Sequence, residues 1–225
     1  SRKMQNGILA FPTGLCYNKG EWRCIGMKII TISREFGSGG RSIAKAVADK
    51  LGIAYYDKEL VRQVATETGY AEEFVEQKGE YAPTSNWLTY AFSQRGGPGM
   101  PNMISADDFL WAIQRKVILE LADKGPCLIV GRCADFILMD RTDCLNVFIH
   151  ANMQTRAQHV LKLYGNSEIP IEKRLEDKDK RRRLYYKRYT GRDWGMAQNY
   201  HLSLDSGVIG EEQCRDIICS LYQAL

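Results

Sequence analysis

A short glycine-rich segment has the residue types and the spacing of a phosphate-binding turn. It lies between an apolar run at 29–32, which predicts a strand, and an amphipathic segment at 42–51, which predicts a helix. Glycine permits backbone conformations in which successive N–H groups point at an anion, and the helix start adds the positive end of its dipole. The segment therefore predicts a phosphate site made of Gly37, Ser38, Gly39, Gly40, Arg41 and Ser42.

The segment is a variant of the usual pattern G-x-x-x-x-G-K-[ST]. Glu35 stands in the place of the first glycine, and either Gly40 or Arg41 takes the place of the lysine. If Arg41 does so, a planar guanidinium still supplies a cation; if Gly40 does so, the charge must come from Arg34 or from an arginine-rich lid elsewhere in the chain. The Ser42 hydroxyl is a predicted Mg²⁺ ligand. The alternatives are an ordinary helix-start residue for Ser42 and a purely structural turn for the loop.

A basic segment at 178–192 is the second concentration of reactive side chains. It holds eight basic residues and one acid, a net charge of +7 against +4 for the whole chain. The three adjacent arginines at 181–183 cannot all lie on one helix face. We expect a compact anion, with Arg182, Arg188 and Arg192 closing over it. A solvated helix face and a single-stranded nucleic-acid surface are the alternatives, and no nucleic-acid-binding module is recognisable that would favour the latter.

Arg132 comes directly after an apolar run at 127–130 that predicts a buried strand. A charged side chain at such a place is costly unless it is paired or contacts a ligand. An anion-binding role for Arg132 and an ion pair between Arg132 and Asp135 both account for it.

Strand and helix patterns alternate along the chain, which predicts an α/β fold with a parallel sheet. Ligands in such sheets bind at the carboxyl ends of the strands, where the glycine-rich segment lies. Further strands are predicted at 53–57, 127–130, 145–149 and 199–204, and helices at 58–68, 71–80, 106–124, 153–164 and 211–225.

The composition is that of one globular domain. The chain has 225 residues, of which 44% are hydrophobic, enough for a sizeable core. No run approaches the roughly 20 apolar residues that span a bilayer, and no secretory leader is recognisable, so we expect a cytoplasmic protein without membrane contact. The seven cysteines form no C-x-x-C pair, and His150, His159 and His201 show no metal-ligand spacing. We interpret the cysteines as buried, reduced thiols.

Four blocks together resemble, in the same order, the cytidylate kinase-like family, a branch of the P-loop nucleoside monophosphate kinases. They lie at 32–41, 55–60, 130–135 and 179–195. The resemblance covers residues 27–225 and implies a three-layer α/β/α sandwich with a parallel sheet. It also implies an inserted monophosphate-binding region at 71–105 and an arginine-rich lid at 165–197. Residues 1–26 fall outside it, and we interpret them as an N-terminal extension that is disordered or foreign to the domain.

The resemblance implies transfer of the γ-phosphoryl group of ATP, with Mg²⁺, to CMP, dCMP or a related nucleotide. Asp179 and Arg182 match the Asp-x-x-Arg that contacts the acceptor in that family, and Asp57 resembles the start of its acceptor-binding stretch. A nucleotide-binding module that lacks the loop lysine and does not catalyse is the alternative. The predicted site residues are, for catalysis, Arg41, Arg182 and Arg188; for ATP, Gly37, Ser38, Gly39, Gly40, Arg41 and Ser42; for the acceptor, Asp57, Arg62, Arg132, Asp135, Asp179 and Arg182; and for the metal, Ser42.

Overall fold

A computed structural model describes residues 28–81 and 105–225, and three short strands within the first 24 residues. These strands are β1 (Leu9–Ala10), β2 (Leu15–Asn18) and β3 (Glu21–Cys24), and they pair as an antiparallel sheet in the order β1-β2-β3. The extension predicted to be disordered or foreign to the domain therefore contains regular secondary structure.

The main sheet has five parallel strands in the order β5-β6-β4-β7-β8. The central strand β4 pairs with β6 on one side and with β7 on the other, and all six of its residues are buried. Its buried position follows from its near-continuous apolar sequence. The five strands are β4 (Ile29–Arg34), β5 (Ala54–Tyr56), β6 (Cys127–Val130), β7 (Cys144–His150) and β8 (Leu202–Asp205).

Helices cover both faces of this sheet, so the fold is the expected three-layer α/β/α sandwich of P-loop proteins. One face packs against α1 and α9, and the other against α2 and α4. Successive residues of β4 point to opposite faces, with Ile29 in one core and Ile30 in the other. The helices are α1 (Gly40–Leu51), α2 (Lys58–Thr68), α3 (Glu72–Lys78), α4 (Ala106–Lys124), α5 (Ala134–Ile137), α6 (Met153–Tyr164), α7 (Ile171–Thr190), α8 (Ser206–Ile209) and α9 (Glu211–Ala224).

The last strand begins later than its sequence pattern predicts. The prediction was 199–204, but β8 begins at Leu202 and is preceded by a 3₁₀ turn, Ala197–Asn199. The amides of Asn199 and Tyr200 donate to the carbonyl oxygens of Met196 and Ala197, so they are not available to a strand ladder. Of the predicted insert at 71–105, α3 is described, whereas residues 82–104 lie outside the described residues.

The basic segment forms the carboxyl half of α7, the longest helix among the described residues. Its buried positions include Asp179, Arg182, Tyr185 and Tyr186, whereas Arg183 is exposed. The prediction that the adjacent arginines do not share one face is therefore confirmed. The 100° rotation between successive helical residues is the physical reason.

The described cysteine side chains fit the interpretation as buried thiols. Cys127, Cys133, Cys144, Cys214 and Cys219 are all buried and unpaired in the described part of the chain. Burial raises the pKa of the Cys127 thiol to about 11. No described helix is both long enough and apolar enough to cross a membrane.

Candidate functional site

The glycine loop, residues 37–42, joins the carboxyl end of β4 to α1. Gly37 and Gly39 have φ angles of 85° and 74°, a region in which other residues are strained. A Cβ atom on Gly37 would lie 2.8 Å from the carbonyl oxygen of Arg156, and one on Gly40 would lie 2.5 Å from the Cβ atom of Arg34. The loop therefore needs glycine at these positions for geometry and for close packing.

The amides at the start of α1 are available to a ligand. Gly39 is the N-cap residue and offers no side chain to cap the helix. Within the described residues, the N–H groups of Gly39, Gly40 and Arg41 have no backbone acceptor, as is usual for the first turn of a helix. The Ser42 hydroxyl lies exposed beside them. Open amides at a helix start are a favourable place for phosphate oxygens.

Ser38 has a structural position within the loop. Its buried hydroxyl is directed at the carbonyl oxygens of Glu35, at 2.9 Å, and Ile149, at 3.2 Å. Its own carbonyl oxygen accepts a 2.7 Å hydrogen bond from the Ser206 hydroxyl. These bonds tie the loop to the ends of β7 and β8. The Ser38 side chain therefore stabilises the conformation of the loop.

Arg41 contacts Asp57. A residue predicted to bind ATP and a residue predicted to bind the acceptor therefore lie side by side. Arg41 Nε lies 2.9 Å from Asp57 Oδ2, and Arg41 Nη2 donates to Asp57 Oδ1 at 3.3 Å. The Arg41 side chain is 43% exposed, whereas that of Asp57 is 9% exposed. The guanidinium thus reaches from the loop to the carboxyl end of β5.

Three buried arginines converge beside the loop, at the carboxyl ends of β4 and β6 and on α7. Arg34, Arg132 and Arg182 are 4%, 4% and 6% exposed, and the buried carboxylate of Glu80 lies among them. Glu80 accepts hydrogen bonds from both terminal nitrogens of Arg34, and its Oε2 atom lies 3.8 Å from Arg182 Nη2. We call Arg34, Glu80, Arg132 and Arg182 the arginine pocket.

The backbone around Arg132 has an unusual, left-handed conformation. Gly131, Arg132 and Cys133 all have positive φ angles, of 70°, 56° and 56°. The guanidinium of Arg132 donates to the side-chain oxygen of Gln114 at 3.2 Å and to the carbonyl oxygen of Val75 at 3.3 Å. Left-handed backbone at two residues other than glycine is costly, and such strain concentrates at functional sites.

Arg182 connects helix α7 to the pocket. Its Nη1 atom donates to the carbonyl oxygen of Arg34 at 3.0 Å, and its Nη2 atom donates to the Tyr81 hydroxyl at 2.9 Å. Its Nε atom is buried without a hydrogen-bond partner among the described residues. An unused buried donor on a cation is expensive, which makes this atom a candidate contact for an anionic ligand.

The electrostatics of the pocket favour anions. Burial by itself would raise the pKa of Glu80, but the charges of Arg34, Arg182 and Arg132 outweigh it and hold the pKa well below its usual range. Glu80 is therefore ionised, and one negative charge lies among three positive ones.

Asp179 joins helix α7 to the backbone beside the glycine loop. Its Oδ1 atom accepts a 2.8 Å hydrogen bond from the Phe36 amide, and its Oδ2 atom forms a buried ion pair with Arg156. Arg156 also donates to the carbonyl oxygen of Phe36 at 3.4 Å. The sequence analysis missed Arg156, although its spacing of four residues from the buried Val160 places it on the inner side of α6.

Asp135 is buried, and hydroxyl groups and backbone N–H groups donate hydrogen bonds to its carboxylate. Its Oδ2 atom accepts a 2.6 Å hydrogen bond from the Tyr186 hydroxyl, and its Oδ1 atom lies 3.4 Å from the Ser33 hydroxyl. Arg132 has different described hydrogen-bond partners, so the proposed Arg132–Asp135 ion pair does not account for either residue. Burial raises the pKa of Asp135 to about 6, against the opposing effect of the hydrogen bond from Tyr186.

Two predicted site residues lie outside this constellation. Arg62 is exposed on α2 and pairs with Glu59 at 3.1 Å. Arg188 pairs with Asp108 at 3.0 Å, at the start of α4. The structure thus brings together the loop, Arg41, Asp57, Arg132, Asp179 and Arg182, and it leaves Arg62 and Arg188 at a different surface.

Comparisons with known proteins found a family and relatives that match most of this chain. The model of the cytidylate kinase-like family matches residues 29–208. A cytidylate kinase of Aeropyrum pernix is 25% identical over 191 residues, which cover 83% of this chain and 94% of the relative. A cytidylate kinase of Methanopyrus kandleri is 24% identical over 199 residues, which cover 84% and 90%.

Solved structures also share this fold. The crystal structure of an uncharacterized protein from Eubacterium ventriosum has a TM-score of 0.66 and 25% identity, and the match covers 88% of this chain and 100% of that one. A shikimate kinase from Acinetobacter baumannii, in complex with shikimate, has a TM-score of 0.50 and 13% identity, with 88% and 94% covered. At that identity the shikimate kinase supports the fold alone.

Proposed function

Because the chain belongs to the cytidylate kinase-like family, we propose that it transfers the γ-phosphoryl group of ATP to CMP, dCMP or a related nucleoside monophosphate. The observation that carries this proposal is the position of two anion-attracting groups at one edge of the sheet. The open amides at Gly39–Arg41 begin α1, and the arginine pocket adjoins them through Arg34, whose side chain packs against Gly40.

Phosphoryl transfer requires two anions held in line, with their charge neutralised and water excluded. In our proposal the loop amides hold the phosphates of ATP, and Arg41 adds a cation beside them. Arg132 and Arg182 hold the phosphate of the acceptor, and Asp57 marks the acceptor side of the site. Asp179 acts indirectly, because it fixes the Phe36 backbone at the start of the loop.

The residues present suit Mg²⁺ bound together with ATP. Mg²⁺ prefers oxygen ligands and commonly takes one or two from the protein and the rest from phosphates and water. The exposed Ser42 hydroxyl at the start of α1 can supply one such oxygen, and the described residues include no cluster of three or more acidic, histidine or cysteine ligands. When bound, the ion would neutralise charge on the ATP phosphates.

A nucleotide-binding module without catalysis is the second candidate. It is favoured by the engagement of Arg41 with Asp57, because no lysine stands in the loop to replace that charge. In this case ATP would bind without any acceptor being phosphorylated.

A coupled ADP-release assay with ATP, Mg²⁺ and each of CMP, dCMP, UMP, AMP and GMP tests the proposal. We expect turnover with at least one pyrimidine monophosphate. Arg182→Met should abolish most of it, whereas Arg183→Met, which changes the exposed neighbour on α7, should not. Binding of ATP without turnover on any acceptor would instead establish the second candidate.

A further inference from the structure

We propose that Glu80 occupies, in the protein without ligands, the position that a phosphate monoester dianion takes in the arginine pocket, and that Arg34 is a third cation of that anion site. The inference rests on the proposed function, since it concerns the phosphate of the acceptor. It adds two residues, Arg34 and Glu80, to which neither the sequence analysis nor the comparisons give this role.

The contacts of Glu80 are those of a bound anion. Both carboxylate oxygens accept hydrogen bonds from Arg34 in the bidentate arrangement that guanidinium forms with carboxylate and phosphate alike. Arg182 approaches the same carboxylate to 3.8 Å, and Arg132 contributes a third positive charge. Two oxygens of a phosphate group can take the places of these two carboxylate oxygens.

The charge of the pocket is not balanced by Glu80. Three buried guanidinium groups surround one carboxylate; Asp179 approaches Arg182 to 3.8 Å, but its closer ion pair is with Arg156. An excess of buried charge is costly. A phosphate monoester dianion, with about twice the charge of a carboxylate, would neutralise the arginines better than Glu80 does.

The pocket has room for one anion at a time. With Glu80 in place, the remaining cavity is about 20 Å³, which is room for about one water molecule. The buried Arg182 Nε atom still lacks a partner in this state. A phosphate group can therefore enter only when the Glu80 side chain leaves, and an anion with more oxygens could then satisfy the unused donor.

Glycine at two positions makes the arrangement possible. A Cβ atom on Gly131 would collide with the Glu80 carboxylate and with Arg34, and one on Gly79 would collide with Arg132. Glu80 lies after the end of α3, outside any helix or strand. Its side chain can therefore move without the loss of a helix or strand hydrogen bond.

Isothermal titration calorimetry of inorganic phosphate and of CMP, on the whole protein, tests the proposal. Glu80→Gln keeps the shape of the side chain but removes its charge, so the arginines hold it less tightly and the site is more often free. The affinity for both probes should therefore rise by about tenfold or more. Glu120→Gln, an exposed glutamate on α4, is the matched control and should leave both affinities unchanged. An unchanged or lower affinity in Glu80→Gln would overturn the proposal.

The role of Arg34 is tested in the background of the first variant. The double variant Arg34→Met with Glu80→Gln removes both partners of the buried pair, which avoids an unpaired buried charge. Its affinity for phosphate should fall about 10- to 100-fold below that of Glu80→Gln, as expected for the loss of a charge-assisted contact. Equal affinities in the two variants would remove Arg34 from the site.

A measurement on the unaltered protein covers the case in which these variants do not fold. Amide hydrogen exchange at residues 80 and 81 should become faster when phosphate or CMP is added, because the released Glu80 side chain no longer anchors this segment, which lies outside any helix or strand, to Arg34. Binding with unchanged or slower exchange there would contradict the displacement. If the displacement is observed while no acceptor is ever phosphorylated, the anion site stands and only the proposed kinase activity fails.

Discussion

The glycine loop and the arginine pocket both attract anions, but they are built in different ways. The loop uses backbone amides of consecutive residues, 39–41, at the start of one helix. The pocket uses side chains from separate elements, and the hydrogen bond from Arg182 to the Arg34 carbonyl joins residues 148 positions apart. The first site is a local property of the chain. The second exists only while buried charges are held together by the fold, so its disruption should cost much more stability.

The largest effect is expected at Asp179, a buried side chain that holds α7 to the start of the glycine loop. Asp179→Ala leaves the buried Arg156 with only the more distant carboxylate of Glu35, at 3.6 Å, and removes the acceptor of the Phe36 amide, so we expect a loss of about 3–5 kcal/mol in the free energy of unfolding. Urea denaturation measures it.

The matched control for this loss is an exposed pair near the end of the same helix. Asp193→Ala breaks the ion pair with Lys187, and both of its side chains are exposed, so the cost should stay below about 1 kcal/mol. Similar losses in Asp179→Ala and Asp193→Ala would mean that the buried pair does not differ energetically from a surface pair.

The next effect is the pH dependence that burial gives to Asp135. Its pKa is raised from 3.8 to about 6, so the folded protein binds a proton more tightly than the unfolded chain does. The stability that this proton contributes is fully present below the unfolded pKa and is lost as the pH rises through the folded pKa. Asp135→Asn does not titrate, so between pH 4 and pH 7 its stability should improve relative to the unaltered protein by about 2 kcal/mol.

Urea denaturation at a series of pH values measures this difference. Asp140→Asn, at an exposed position after α5, is the control, and as a surface substitution it should change the stability by no more than about 0.5 kcal/mol. A constant difference for Asp135→Asn would show that Asp135 is ionised at its ordinary pKa.

A smaller effect should distinguish glycines within the loop from glycines elsewhere. Gly39→Ala and Gly52→Ala both place alanine at a positive φ angle, 74° and 65°, and each should cost about 1–2 kcal/mol in stability. Only Gly39 lies beside the open amides, and a Cβ atom there would also meet Glu211. We therefore expect weaker ATP binding, measured by calorimetry, in Gly39→Ala but not in Gly52→Ala.

The smallest effect is expected at Arg188, on the exposed side of α7. Its ion pair with Asp108 is largely exposed, so Arg188→Met should cost less than about 1 kcal/mol in stability. In the coupled assay it should retain most of the turnover that Arg182→Met loses. A loss as large as that of Arg182→Met would show that Arg188 reaches the reacting phosphates, as the sequence pattern predicts.

The sequence predicted most elements and part of the site. Three helices, at 58–68, 106–124 and 153–164, and one strand, at 127–130, have the predicted bounds. The helices have a clear apolar period, the strand is a continuous apolar run, and a turn residue follows each of them. The late start of β8 was missed, since a 3₁₀ turn rather than hydrophobicity decides it. Glu80 was also missed, because the arginines that it contacts are distant in sequence and no local pattern marks it.

The sequence by itself determined the alternation of strands and helices, the glycine loop and the uneven distribution of positive charge. These features depend on neighbours within a few residues, such as the glycines that allow positive φ angles. Only the tertiary structure decided which arginines meet. Arg182 is buried against the Arg34 carbonyl, whereas the adjacent Arg183 faces solvent. Helix rotation and long-range packing separate these two chemically identical side chains, and no spacing along the chain records where the other elements of the pocket lie.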